Sequence, residues 1–219
     1  MRVFKFGGAS VKDAKSFINL KNILLNQKEG LIVIVSAMGK TTNKLEKIWE
    51  NYIKKDFDKA TLTLNEIISY HQDICIDLKL DKNQKFINKF NSLCDELSTF
   101  ISKKKDFKTN SSYDKIVSFG ELWSTTILSH FIETNGIKNT WVDARKLIKT
   151  SSNFQEARVN WNESQKLIKE EIKNNDDIYV SQGFIGSTSD SQTTTLGREG
   201  SDYSAAIFAW AIDATEVVI

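Results

Sequence analysis

The sequence predicts an α/β fold: a mostly parallel central sheet flanked by helices, with a helical insertion. Two patterns carry that prediction. The chain opens as strand, glycine turn, helix and strand, a βαβ start whose default architecture is a parallel sheet. Strand-like segments then return only after a long stretch of helical periodicity. At 219 residues and 40% hydrophobic content, the chain is long enough to bury a large core around such a sheet. The tryptophans are assigned to that core.

Val3 to Phe6 is a short strand broken by Gly7-Gly8. Val11 to Gln27 carries Val11, Ala14, Phe17, Ile18, Leu20, Ile23, Leu24 and Leu25, mostly at helical spacing. Gly30 ends that unit. Leu31 to Ala37, LIVIVSA, is the β-branched run of a central buried strand.

From Lys40 to about Asn110 three apolar stripes at helical spacing replace strand signals, so residues 41–111 are expected as the helical subregion. Lys103 to Asp106 with Thr109 to Ser112 is the expected loop back. Lys115 to Phe119 then reads as a strand, Gly120-Glu121 as a turn and Leu122 to Glu133 as a helix. Asn135-Gly136 closes that helix as a left-handed cap. Asn139 to Val142 is a strand, Trp161 to Lys173 a helix, and Asp177 to Ile185 a strand ending in Gly186. The last helix starts at Ser201 or Asp202, and Ala214 to Ile219 is a final strand.

Thirty basic residues face 28 acidic ones, a net charge of +2. Nothing in that balance points to nucleic acid. No apolar run approaches membrane-spanning length, and the opening MRVFKFGG lacks the apolar core of a signal peptide. The expectation is a soluble cytoplasmic protein. Cys75 and Cys94 lack metal-ligand spacing and are expected as buried thiols. No metal-ligand set is assigned, and His71 and His130 are expected to be structural.

Four segments share one pattern, an apolar strand ending in a small or glycine-rich turn with a polar residue. They are KFGGAS (Lys5 to Ser10), VSAMGKTT (Val35 to Thr42), SFGELWST (Ser118 to Thr125) and TTTLGREGSD (Thr193 to Asp202). In parallel sheets ligands bind at the carboxyl ends of strands, where such turns gather. The last segment enters a helix, whose free N–H groups and positive dipole end suit a phosphate or carboxylate. Arg198 offers a planar fork for a carboxylate. Lys5 fits a plain edge-strand lysine, but its place just before Gly7-Gly8 also lets it reach a phosphate held over those glycines. Gly39 to Thr41 mimics the tail of a P-loop, but Ile34 stands where its first glycine is needed.

In this order, KFGGAS, IVSAMGKTTN, SFGELWST and TTTLGREGSDYSAA resemble the aspartate kinase family of the amino-acid kinase superfamily, over nearly the whole chain. The resemblance implies the amino-acid kinase (carbamate kinase-like) fold. It also implies transfer of the γ-phosphoryl of ATP, with Mg²⁺, to the β-carboxylate of L-aspartate, the first step towards lysine, threonine and methionine. Carried over by residue, Lys5 matches the lysine on the transferred phosphate, and Gly7, Gly8 and Ser10 match phosphate-loop positions. Ser36 lies in the second phosphate-facing turn. Glu121 matches the acid that takes the α-ammonium. Arg198 matches the arginine on a substrate carboxylate, with Thr195 and Ser201 as hydroxyl neighbours. Asp202 matches the aspartate that organises the transfer centre. Ala9 and Glu199 depart from the family's threonine and glycine, and Glu199 is expected to point away from an acidic substrate.

Aspartate's side chain is ionised near pH 7, so the reaction needs no general base. Positioning and charge neutralisation carry it. The resemblance also implies a W-T-D-like turn and a nucleoside-binding stretch beyond the strand ending at Ile219, then ACT regulatory domains that build a homodimer. The chain is therefore expected to be a partial catalytic domain. Two alternatives stay open: a fragment that binds aspartate or phosphate without turnover, and a kinase of another acceptor.

Overall fold

The computed structural model describes residues 1–27, 29–103, 109–173 and 177–219. Strand β1 (Arg2–Phe6) runs into a short 3-10 turn, Gly8–Val11, and then helix α1 (Ala14–Leu25). Asp13 caps α1 by accepting from the Ser16 N–H at 2.8 Å. Strand β2 (Leu31–Val35) follows, buried at every position as its unbroken β-branched run predicts. The insertion is three long helices: α2 (Thr41–Ile53), α3 (Phe57–Asp77) and α4 (Gln84–Ser102). Their predicted apolar stripes are the buried faces, among them Ile48 and Tyr52, Leu64 and Ile67, and Phe90 and Leu97.

Next come α5 (Thr109–Val117), α6 (Phe119–Thr134), β3 (Asn139–Val142), α7 (Ala144–Leu147) and α8 (Trp161–Glu171). Strands β4 (Ile178–Gln182), β5 (Ile185–Ser187) and β6 (Thr193–Thr195) lead to α9 (Gly200–Ala211) and β7 (Glu216–Val218). The central sheet has the order β3-β4-β2-β1-β7, and each of its pairings is parallel. Strands β5 and β6 form a separate antiparallel pair. The α/β class and the parallel sheet stand as predicted. So does the left-handed cap after α6, with Gly136 at φ +82°.

Three sequence expectations are corrected. Lys115 to Phe119 is not a strand and Gly120-Glu121 is not a turn; both lie within the α5–α6 pair. The reason is burial, because every residue from Ile116 to Ile132 is buried. A helix covered on all sides has no polar face to reveal its period. The expected loop at Thr109 to Ser112 is instead the first turn of α5; Asp106 lies outside the described residues. Asp177 to Ile185 is not one strand, since the chain breaks at Gly183-Phe184, where Phe184 takes φ +68°.

Both cysteines are free and buried, and burial pushes each thiol up to about 12. His71 and His130 are buried within the helical layer, each ring bonded through Nδ1 to a carbonyl four residues earlier. The tryptophans divide. Trp123 is fully buried, whereas Trp161 and Trp210 meet edge to face at the surface, with ring centroids 4.9 Å apart. Among the described residues no helix is long and apolar enough to cross a membrane.

Candidate active site

Parallel pairing of β1 with β2 sets the two glycine turns side by side at the carboxyl end of the sheet. The Gly39 N–H donates to the Gly8 carbonyl at 2.9 Å, and the Ser36 N–H donates to the Phe6 carbonyl at 3.0 Å. Gly8 is required by this approach. A Cβ there would stand 2.6 Å from the Ala37 carbonyl oxygen, closer than any side chain tolerates. Lys5 is the penultimate residue of β1, and its ammonium lies 2.7 Å from Oδ1 of Asp202 in the first turn of α9. This ion contact lacks the angles of a hydrogen bond. The lysine side chain is 12% exposed and the aspartate 36%, so the pair opens towards solvent on the carboxylate side.

Helix α6 delivers Glu121. Its neighbour Gly120 packs against the second turn so tightly that a Cβ would fall 2.7 Å from the Ala37 side chain. Glu121 is buried, and one carboxylate oxygen accepts from the Ala37 N–H at 3.1 Å. The other oxygen has no hydrogen-bond partner among the described residues. Burial pushes the carboxyl up to about 8, against the pull of the Ala37 N–H. A buried acceptor left open beside a cavity is complementary to a cationic donor.

Glu121, Lys5 and Asp202 line one cleft of about 250 Å³, with Ser36 and Ser201. Gly183 makes room for Ser201, since a Cβ would lie 2.5 Å from its hydroxyl. Thr42 and Phe184 border this cleft and also a wider one of about 630 Å³ beside it. The wider cleft carries Arg198 and Arg158 with Glu46 and Glu156. Five of the sequence-chosen residues thus meet in one cleft, although only the first two of the four motifs follow strands of the central sheet.

The other chosen residues sit differently. Gly7 and Gly8 form the turn beneath Lys5, and Ser10 is exposed within the 3-10 turn, its N–H bonded to the Gly7 carbonyl at 2.9 Å. Arg198 is 94% exposed on the wall of the wider cleft, 4.0 Å from Glu199. Glu199, 75% exposed, occupies φ +56°, a conformation that suits glycine and costs another residue about 1–2 kcal/mol. Thr195 is fully buried, and its hydroxyl donates to Asp114 at 2.8 Å.

Sequence inspection missed Thr42, Phe184 and Asp114. Thr42 stood in a quoted motif, unassigned. The backbone reversal at Phe184 has no residue-type signal. Asp114 accepts from segments 41 and 81 positions away, and no local pattern reports such partners. Among the described residues no three His, Cys, Asp or Glu side chains gather as a metal site.

The model of the amino acid kinase family matches residues 1–219. The chain is 32% identical over 224 residues to the chloroplastic bifunctional aspartokinase/homoserine dehydrogenase 2 of Zea mays, covering 99% of this chain and 24% of that protein. It is 29% identical to lysine-sensitive aspartokinase 3 of Escherichia coli, covering 99% of this chain and 48% of that protein. The crystal structure of Escherichia coli aspartokinase III with aspartate and ADP superposes with a TM-score of 0.88 at 27% identity, over 99% of this chain and 48% of that one. The chain therefore spans 24% to 48% of the length of these relatives.

Proposed function

The chain belongs to the amino acid kinase family, and we propose that its cleft binds L-aspartate for phosphorylation of the β-carboxylate by ATP, giving 4-phospho-L-aspartate. The observation that carries this assignment is Glu121, a buried carboxylate with one open oxygen, in the same cleft as the Lys5 ammonium. An acceptor that suits both ends must offer a cation to one and an anion to the other. An amino acid with a second carboxylate does so. The aspartokinase relatives, one of them crystallised with aspartate and ADP, support the same choice.

In this scheme Glu121 receives the α-ammonium, and Arg198 closes on a carboxylate from the wider cleft. Ser36 and Ser201 orient the acceptor by hydrogen bonds. Lys5, with the backbone N–H groups of the Gly7-Gly8 turn, neutralises charge on the transferred phosphoryl. The carboxylate nucleophile is already ionised, so no proton has to be removed. Mg²⁺ is held mainly by nucleotide phosphates and needs only one or two protein carboxylates. The half-open Asp202 fits that demand, and bound Mg²⁺ would add charge neutralisation there. We place the protein in the cytoplasm, as a catalytic part of an enzyme of amino-acid biosynthesis.

Calorimetric titration with L-aspartate, succinate and L-glutamate tests the assignment. Succinate keeps both carboxylates and lacks the ammonium, so it should bind at least about tenfold more weakly than aspartate. Equal affinity for the two would overturn the role of Glu121, and preference for glutamate would move the acceptor. Trapping acyl phosphate with hydroxylamine from Mg-ATP and aspartate then tests turnover.

A further inference from the structure

We propose that Asp114 is a positioning residue that clamps together two segments of the wider cleft, the wall proposed to close on the acceptor. Its carboxylate is fully buried on α5 and accepts four hydrogen bonds from just two residues. Oδ1 takes the Thr195 hydroxyl at 2.8 Å and the Gln155 N–H at 3.0 Å. Oδ2 takes the Thr195 N–H at 2.9 Å and the same Gln155 N–H at 3.0 Å. Thr195 ends β6 and leads directly into Leu196, Gly197 and Arg198. Gln155, held at φ +73°, is the bend of the 151–158 loop, whose Asn153, Glu156 and Arg158 line the wider cleft.

The clamp therefore joins the Arg198 side of that cleft to the Arg158 side. A second bond reinforces the junction, from the Ala157 N–H to the Thr195 carbonyl at 2.9 Å. Below the clamp, α5 abuts α6, which carries Glu121 seven residues on. Asp114 thus also ties the wall to the element that holds the open carboxylate. A carboxylate suits this junction because every group facing it in these bonds is a donor. The significance for aspartate rests on the function proposed above, whereas the clamp itself does not.

Two measurements on the purified chain decide the matter. In Asp114→Ala, amide hydrogen exchange of residues 151–158 and 193–199 should rise at least about tenfold while β1, β2 and β4 keep their protection. Asp114→Asn keeps a carbonyl acceptor and a group able to donate to the Thr195 hydroxyl, so it should restore most of the protection. Unchanged exchange in both segments, or a uniform rise across the whole sheet, overturns the clamp. Should Asp114→Ala not fold, Thr195→Val removes one of the four bonds, and the same two segments should loosen selectively. L-Aspartate titration of Asp114→Ala should show affinity lowered about tenfold, recovered in Asp114→Asn. Loosened segments with unaltered affinity refute the link to the site. Absence of aspartate binding in the unmodified chain refutes the proposed acceptor instead, and the exchange result still decides the clamp.

Discussion

Lys5 and Ser36 reach the smaller cleft from the ends of two hydrogen-bonded parallel strands, whereas Arg198, Phe184 and Gln155 reach the wider cleft beside it from turns and a short hairpin. On the first wall, backbone meets backbone: Gly39 bonds Gly8, and Ser36 bonds Phe6. On the second, three non-glycine residues, Gln155, Phe184 and Glu199, hold positive φ. A buried carboxylate there ties the 151–158 loop to the end of the short β5–β6 ladder. The difference separates rigidity from adaptability. The wall proposed for phosphate is built from regular structure, and the wall proposed for the acceptor is assembled from segments that side chains must hold.

Substitutions on the first wall should have the largest effects. Lys5→Met should lower hydroxamate formation about 10²–10³-fold, a larger loss than the accompanying weakening of aspartate binding. Equal losses in binding and turnover would break the division of labour between the walls. Gly8→Ala forces backbone apart at the Ala37 carbonyl and should cost about 2–3 kcal/mol in urea unfolding. A near-neutral result would show that the two turns move independently.

Glu121 joins the walls, and its titration gives an effect of intermediate size. Its folded carboxyl is raised from 4.5 to about 8. Between those values the unfolded chain has released the proton that the folded chain keeps. Stability should therefore fall as pH rises across that window, by at most about 1.4 kcal/mol per unit. Glu121→Gln should flatten this slope in urea titrations. It should also weaken aspartate about tenfold or more, through loss of a charge-assisted bond. Aspartate binding should release protons near pH 7 as its ammonium draws Glu121 into the ionised form, which calorimetry in buffers of different ionisation enthalpy detects.

The smallest effect belongs to Glu199→Gly. Relief of the left-handed backbone should raise stability by up to about 1 kcal/mol, offset in part by the greater freedom of glycine when unfolded. That corresponds to a melting shift of about 2–4 °C at most. A loss of stability would mean that the Glu199 side chain supports the second wall.

The same contrast explains what the sequence disclosed. KFGG and VSAMG name their own structure, because a strand-then-glycine pattern is local and its chemistry stands at the turn. SFGE singled out Glu121 but not its setting, since a helix buried on every side has no alternation to display. The glycine-rich turn into α9 and Arg198 read as an anion-binding entry to a helix, while Ser201 and Asp202 took their expected roles from the family resemblance. Thr195 joined that group through the family resemblance, and in the fold its hydroxyl donates to Asp114. Asp114 itself had no local signature, because its meaning lies in partners that only folding brings near.

Helix α6 lends its acid to the cleft while every residue from Phe119 to Ile132 is buried. That double duty constrains descent. A lineage exploring new acceptors through Glu121 would disturb the interior with each trial, and most trials would be lost as unfolded protein before selection could weigh their chemistry. The exposed Arg198 carries no such burden. Divergence in what the pocket accepts is thus expected to accumulate along the 153–158 and 196–199 turns, with the buried acid as the inherited fixture around which they vary.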